Sequence, residues 1–296
     1  MTLAVIRLRK VWYAVSGLLV ATSLMLVAVL GIPFGIDFTG GSLLEVRFDV
    51  APETAALRKE LSNMGYAEAT VQSAGTDEAL IRLSNMTEED HQRVLNALEA
   101  SFGNIDELRF DSIGPTIGKE LKRDAMLALA IALILIVAYV AWAFRKVSEP
   151  IASWKYGLLT IVAALHDLII PLGVFAVLGA SQNFQIDTAF IAALLTILGY
   201  SINDTIVVFD RTRENLARWG AHDFEMVVEK SVQQTFARSI NTTLTTLLAL
   251  LAVFLFGGET TRSFALALLI GIGVGAYSSV FIASPLLVTW YRVNHK

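Results

Sequence analysis

The chain has 296 residues, 55% hydrophobic and only 17% charged, with a formal net charge of −4. Soluble domains carry about 25% charged residues, so this composition excludes one water-soluble globule and points to a membrane protein with several spans. The acidic balance argues against a nucleic-acid partner, and the absence of cysteine excludes disulfides, zinc–thiolate sites, iron–sulfur clusters and thiol nucleophiles.

In chain order, the first apolar stretch is Val11 to Gly31. It is uncharged and too long for a signal-peptide core, and it lacks a small-residue cleavage site, so it is expected to be a retained first span. The glycine-dense run Gly35-Ile36-Asp37-Phe38-Thr39-Gly40-Gly41 follows. A tight exit turn, with Asp37 and Thr39 bonding local backbone, accounts for it. A phosphate cradle is disfavoured, because no Lys-Ser/Thr follows and no helix opens there.

Residues 36–124 form the one segment large enough to fold in water. Leu44, Val46 and Phe48 alternate with Glu45 and Arg47, a strand pattern. Pro52 and Glu53 open a helix carrying Ala56, Leu57, Leu61 and Met64 on one face, stopped by Gly65. Thr70 to Ser73 and Ala79 to Leu83 pair as a hairpin about a turn at Gly75, Thr76 and Asp77. Thr87 caps a second helix, with Asp90 as the capping-box partner, a stripe of Val94, Leu95, Leu98 and Phe102, and Gly103 at the end. Leu108 to Ile113 is the last strand. The order β-α-β-β-α-β predicts a ferredoxin-like α+β domain, with Val46, Phe48, Leu57, Leu61, Ile81, Leu83, Leu98 and Phe110 sharing a core. His91 lies in a polar first turn and is expected to be a solvated surface residue.

Five more spans are predicted at Ala125–Phe144, Tyr156–Leu178, Thr188–Phe209, Phe236–Gly257 and Ser263–Tyr291. The last is roughly 43 Å long at 1.5 Å per residue, so it tilts or emerges into the interface. Phe224 to Phe236 is amphipathic and reads as an interfacial helix. Gly271 and Gly275 form a small-xxx-small pair suited to close helix packing. Lys and Arg fall on one side of this six-span plan: Arg7, Arg9 and Lys10; Arg145, Lys146 and Lys155; Arg211, Arg213, Arg218 and Lys230; Arg292 and Lys296. Both termini are therefore expected in the cytoplasm, although Lys119, Lys122 and Arg123 precede the second span on the outer side. The predicted organisation is 1–35 as N-terminus and first helix, 36–124 as a periplasmic domain, and 125–296 as helices two to six with a cytoplasmic loop at 210–235.

An acid at the centre of a span costs roughly 2.5–3.5 kcal/mol on insertion scales. Asp167, next to His166 and before Pro171, lies nearest the middle of a span. Thr196, Tyr200, Asn203 and Asp204 form one polar stripe on the fourth span, and Arg238, Asn241, Thr242, Thr245 and Thr246 form another on the fifth. Asp204 and Arg238 are expected to face each other at similar depth. Snorkelling of Arg238 to the headgroups, and a static hydrogen bond from Asp204 to Tyr200 or Asn203, also account for the pattern. In-span ionisable residues otherwise mark proton or ion pathways. The four histidines share no helix face, which disfavours a metal site, and the surroundings of Asp204 do not suit an aspartyl protease. No catalytic set, cofactor or metal is expected.

The glycine run after the first span, His166-Asp167, the segment Gly199-Tyr200-Ser201-Ile202-Asn203-Asp204-Thr205-Ile206-Val207-Val208-Phe209-Asp210-Arg211 and the opening Arg238-Ser239-Ile240-Asn241-Thr242-Thr243 closely resemble the SecF family of the bacterial Sec export machinery, within the RND superfamily. The resemblance covers nearly the whole chain. It implies a subunit of the inner membrane that pairs with SecD, associates with the SecYEG channel and YajC, and draws preproteins outward with the proton motive force. It also implies that Asp204 and Arg238 belong to the proton path together with an acid of SecD, and that Gly35, Asp37, Gly40 and Gly41 are family motif residues. A small-molecule RND exporter is disfavoured, since such pumps have two large outer domains and twelve spans. A passive scaffold, whose charges only hold helices together, stays open.

Overall fold

A computed structural model describes residues 4–50, 52–74, 76–145, 151–220 and 222–294. Lys146, Lys296 and the turn residue Gly75 lie outside the described residues. The chain divides into two compact units, one of residues 33–127 with 185–188 and one holding the remainder.

The larger unit is helical. Its apolar segments are α1 (Arg9–Leu30), α5 (Pro115–Ala143, which starts in the other unit), α6 (Ser153–Gln182), α7 (Thr188–Trp219), α8 (Phe224–Phe256) and a composite of α9 (Glu259–Ser278), a π-helical turn (Ser279–Ala283) and α10 (Ser284–Asn294). All six predicted spans are present among the described residues. Half or more of the apolar window of α6 and of the composite helix is buried, against 6% for α5, so those two form the middle of the bundle. Small residues let helices meet closely. A Cβ on Gly173 of α6 would lie 2.4 Å from Ser23 of α1, and one on Gly271 or Gly275 of α9 would strike Ile197 or Ser201 of α7.

Two helices run longer than hydropathy implies. The amphipathic stretch at 224–236 and the fifth span are one helix, α8, because no Gly or Pro interrupts them. The expected loop at 210–235 is helical over most of its length. Charge pairs Arg213–Asp210, Arg211–Glu214 and Arg218–Glu214 at helical spacing carry α7 past its apolar part. The two helices are tied by Asn215, whose Nδ2 donates to Ser231 at 2.8 Å and Gln234 at 2.9 Å. The π turn has its cause in Pro285. Proline offers no N–H to the carbonyl of Phe281 and its ring crowds that carbonyl, so the helix widens over Ser279–Ala283.

The smaller unit contains β1 (Gly41–Phe48), α3 (Thr54–Asn63), β2 (Thr70–Ala74), β3 (Glu78–Leu83), α4 (Glu88–Phe102) and β4 (Ile105–Ile113), in the predicted order, after a one-turn helix α2 (Ile36–Thr39). The sheet is antiparallel with strand order β2-β3-β1-β4. The last strand begins three residues earlier than expected, because a bulge opposite Glu45 and Val46 displaces Leu108 and breaks the alternation. Val46, Phe48, Leu57, Leu61, Ile81, Leu83 and Leu98 are buried in one cluster, and half-buried Phe110 packs against it.

His91 departs from expectation. It is buried, with its ring stacked on Phe110 at 3.7 Å between centroids. Its Nδ1 lies 3.3 Å from Glu88 and its Nε2 lies 3.2 Å from Glu107. The capping box turns the first turn of α4 so that position 91 faces the sheet, where an aromatic surface awaits the imidazole.

Candidate functional site

The glycine run after α1 is shaped by close approach. Gly40 and Gly41 have φ of +76° and +128°. A Cβ on Gly40 would sit 2.9 Å from the Cα of Pro115, and one on Gly41 would sit 2.8 Å from the Leu83 carbonyl. Thr39 Oγ1 donates to the Gly35 carbonyl at 2.9 Å, the local bond expected of a turn. Asp37 does something else. It accepts from the backbone N–H of Thr188 at 2.8 Å and from its hydroxyl at 2.6 Å, which caps the start of α7 from a residue distant in sequence. The Gly35 N–H donates to the Ile186 carbonyl at 2.8 Å, and the Ile186 N–H to the Pro33 carbonyl at 2.7 Å. The turn is thus held by tertiary hydrogen bonds within the smaller unit.

The intramembrane acids occupy two neighbouring sites linked by serines. Asp167 on α6 is fully buried. One of its oxygens lies 2.8 Å from His166 Nδ1. The other accepts from Ser201 of α7 and from Ser278 of α9, the latter at 2.7 Å. Asp204 on α7, half-buried, accepts from Ser239 of α8 on one oxygen and from Ser279 of the π turn on the other. Ser278 and Ser279 are consecutive, so two adjacent hydroxyls serve two different carboxylates at the point where α9 widens. His166 is itself buried and stacks on Tyr277 at 6.1 Å between centroids.

Ser278 and Ser279 each have a second acceptor. Ser278 Oγ lies 3.1 Å from the Gly275 carbonyl, and Ser279 Oγ lies 3.1 Å from the Ala276 carbonyl. A hydroxyl both donates and accepts. Facing an ionised carboxylate it donates to it. Facing a protonated one it can accept the acid proton and turn its own O–H to the helix carbonyl. Ser278 and Ser279 can therefore serve either protonation state of the acid each faces by turning the hydroxyl.

The expected pairing of Asp204 with Arg238 does not occur. Ser239 fills the position facing Asp204, and Arg238, one residue earlier on α8, is turned about 100° away and is exposed. The polar stripe also divides. Tyr200 bonds Thr246 at 3.2 Å, whereas Asn203, Asn241 and Thr242 are exposed. The threonine hydroxyls close on their own helix, Thr242 onto the Arg238 carbonyl at 2.9 Å and Thr245 onto the Asn241 carbonyl at 3.0 Å. The guanidinium and the two amides make no such closure among the described residues.

Sequence reasoning missed Ser201, Ser239, Ser278 and Ser279. The available signals were the doubled serine ahead of Pro285, Ser201 one helical turn before Asp204, and Ser239 next to Arg238.

Two family models match the chain: the C-terminal region of the SecD/SecF protein export membrane proteins over residues 93–293, and the SecD/SecF GG motif over residues 26–51. The protein translocase subunit SecF of Thermobaculum terrenum is 41% identical over 298 residues, covering 97% of this chain and 93% of that protein. The protein translocase subunit SecF of Synechocystis sp. is 37% identical over 308 residues, covering 99% and 95%. The crystal structure of SecDF, a translocon-associated membrane protein from Thermus thermophilus, superimposes with a TM-score of 0.88 at 36% identity over 99% of this chain. This chain spans only 39% of the length of that SecDF chain. With a family model over two thirds of its residues and SecF relatives matched almost end to end, the chain belongs to the SecD/SecF family of multi-pass protein-export membrane proteins.

Proposed function

We propose that this chain acts as a SecF-type subunit which, together with SecD, uses the proton motive force to promote preprotein movement through SecYEG, with YajC as an associate. It is a transport subunit rather than an enzyme. It lies in the bacterial inner membrane with both termini in the cytoplasm, and its mixed unit is a ferredoxin-like domain on the periplasmic side. The Lys/Arg asymmetry supports the orientation, and the antiparallel β-α-β-β-α-β arrangement supports the domain class.

The observation that carries the reading is the serine-bridged acid pair. Asp204, Arg238, Asp167 and His166 form the relay, with Tyr200, Asn203, Asn241 and Thr242 in support. A proton crossing the membrane releases ~2.3 kcal/mol per 100 mV. A hydrogen bond to a charged group contributes about 1.5–3 kcal/mol. One proton therefore supplies roughly enough to break one Ser–Asp bond. Protonated Asp204 holds Ser239 and Ser279 less strongly, which frees α8 and the π turn to shift against α7. Arg238 meets an acid of SecD in the assembled complex, and its field favours the charged form of acids near it.

The rival reading is a scaffold, and one observation favours it: the two carboxylates already tie α6, α7, α8 and α9 together. Export in cells depleted of the native protein separates the two. Asp204→Asn mimics the protonated acid, so it should assemble normally and lose proton-dependent export. Arg238→Met should lose it too, while Arg238→Lys keeps part because the charge remains. Normal export by Asp204→Asn would establish the scaffold. The orientation is checked by a reporter active only in the periplasm, which should stay silent when fused after Lys296.

A further inference from the structure

At the end of the bundle that carries the N-terminus lies a cleft of about 800 Å³. Five cations and three acids line it. Every acid is engaged. Glu229 accepts from the backbone N–H groups of Val5 at 3.0 Å and Ile6 at 2.7 Å, which seats the N-terminal segment. Val5 is buried there against Val208, Val232 and Val280. Glu225 pairs with Arg9 at 3.4 Å and with Arg292. Asp223 caps α8 through the Met226 N–H at 3.1 Å.

The other cations, Arg7, Lys10 and Lys230, are exposed and have no carboxylate partner among the described residues. Lys230 Nζ lies 5.0 Å over the ring of Trp219, a residue type suited to the headgroup level. Leu8, Val11 and Met226 line the same cleft, with relative exposures of 47%, 51% and 41%. Uncompensated positive charge beside an exposed apolar rim on a membrane-spanning bundle matches one ligand chemistry, a phosphate joined to acyl chains.

We propose that this cleft binds the headgroup of an anionic phospholipid. Arg7, Lys10 and Lys230 hold the phosphate, and Leu8, Val11 and Met226 meet the start of the acyl chains. The apolar rim is what selects a lipid over free phosphate or an acidic protein segment.

The full chain in neutral detergent is titrated with phosphatidylglycerol or phosphatidylcholine, and lipid retention is read by native mass spectrometry. The wild type should retain phosphatidylglycerol in preference, and inorganic phosphate should not displace it. Replacing Arg7, Lys10 and Lys230 by Gln should weaken retention at least about tenfold. The swap Arg7→Lys, Lys10→Arg and Lys230→Arg should preserve it, which controls for folding. Removing equal charge through Lys119→Gln, Lys122→Gln and Arg123→Gln should leave it unchanged. Equal losses in the two Gln triples, equal retention of phosphatidylcholine, or displacement by inorganic phosphate would overturn the proposal.

Discussion

Ser279 donates to Asp204 and keeps a second acceptor, the Ala276 carbonyl, at 3.1 Å. That choice is what lets the acid gain a proton without leaving a buried group unpaired. Ser279→Ala removes one donor to the charged form, worth about 1.5–3 kcal/mol, while Ser239 continues to hold the other oxygen. The helices should still assemble. Proton-dependent export should fall about tenfold or more, because the ionised state loses one of its two hydroxyl partners. Export at the normal rate by Ser279→Ala would exclude Ser279 from the relay. At this scale the charges were legible and their partners were not. An acid in an apolar run stands out by its cost, whereas serine is common in helices and its partner is set by packing. Asp204 and Arg238 looked paired because they are opposite in sign and near in depth. The helix phase decided otherwise, by one residue. His91 misled for a similar reason: polar neighbours in sequence say nothing about which way a capped first turn faces.

Among the elements, α4 shows a local signal that was fully readable. Thr87 Oγ1 accepts from the Asp90 N–H, and the Asp90 side chain returns a bond to the Thr87 N–H. The bonds that the carboxyl accepts from the Thr87 N–H and hydroxyl, followed by the charge of Arg93, hold the Asp90 carboxyl below its ordinary value. Glu88 is likewise lowered, first by its hydrogen bond with Gln92 and then by His91. A carboxyl lowered in the folded state stabilises it above the unfolded value, about 4, and loses that contribution as pH falls through the folded value. Loss of the N-cap hydroxyl in Thr87→Ala should destabilise α4 by about 1 kcal/mol at neutral pH. The difference from wild type should narrow as pH falls from about 4 through the lowered folded value, below which Asp90 is protonated in both. Hydrogen exchange of the α4 amides at pH 7 and pH 3 measures this, and a difference that widens on acidification would refute the capping account. The π turn was less visible. Pro285 announces a disturbed helix, but whether the chain kinks, breaks or widens depends on what Ser279 and Ser284 find around them, here an Asp204 oxygen and the Ser279 carbonyl at 2.9 Å. The unbroken α8 was hidden because its two halves differ in polarity while sharing one backbone course.

For the whole molecule, hydropathy located all six apolar helices, because the bilayer imposes length and composition on any helix that crosses it. Hydropathy does not say which faces of those helices meet lipid. The structure separates them. α5 exposes Ile131, Ile134, Leu135 and Tyr139, an apolar face suited to acyl chains. α8 exposes Arg238 and Asn241 beside apolar Ile240 and Leu244, and α7 exposes Asn203. Acyl chains cannot satisfy a guanidinium and two amides, and unsatisfied polar groups in hydrocarbon cost several kcal/mol each. That face therefore suits a protein partner better than acyl chains, and an acid on such a partner would satisfy Arg238. SecD is the partner we propose. A photo-crosslinking amino acid at position 241 should give a discrete protein adduct in cells, whereas the same probe at position 134, where Ile134 is 67% exposed, should label lipid. The adduct at 241 should persist in Asp204→Asn, since that variant assembles, and should weaken in Arg238→Glu, where the sign of the seat is reversed. Lipid labelling at both positions would mean that the polar face is uncovered, and its charge would then need water reaching it within the membrane.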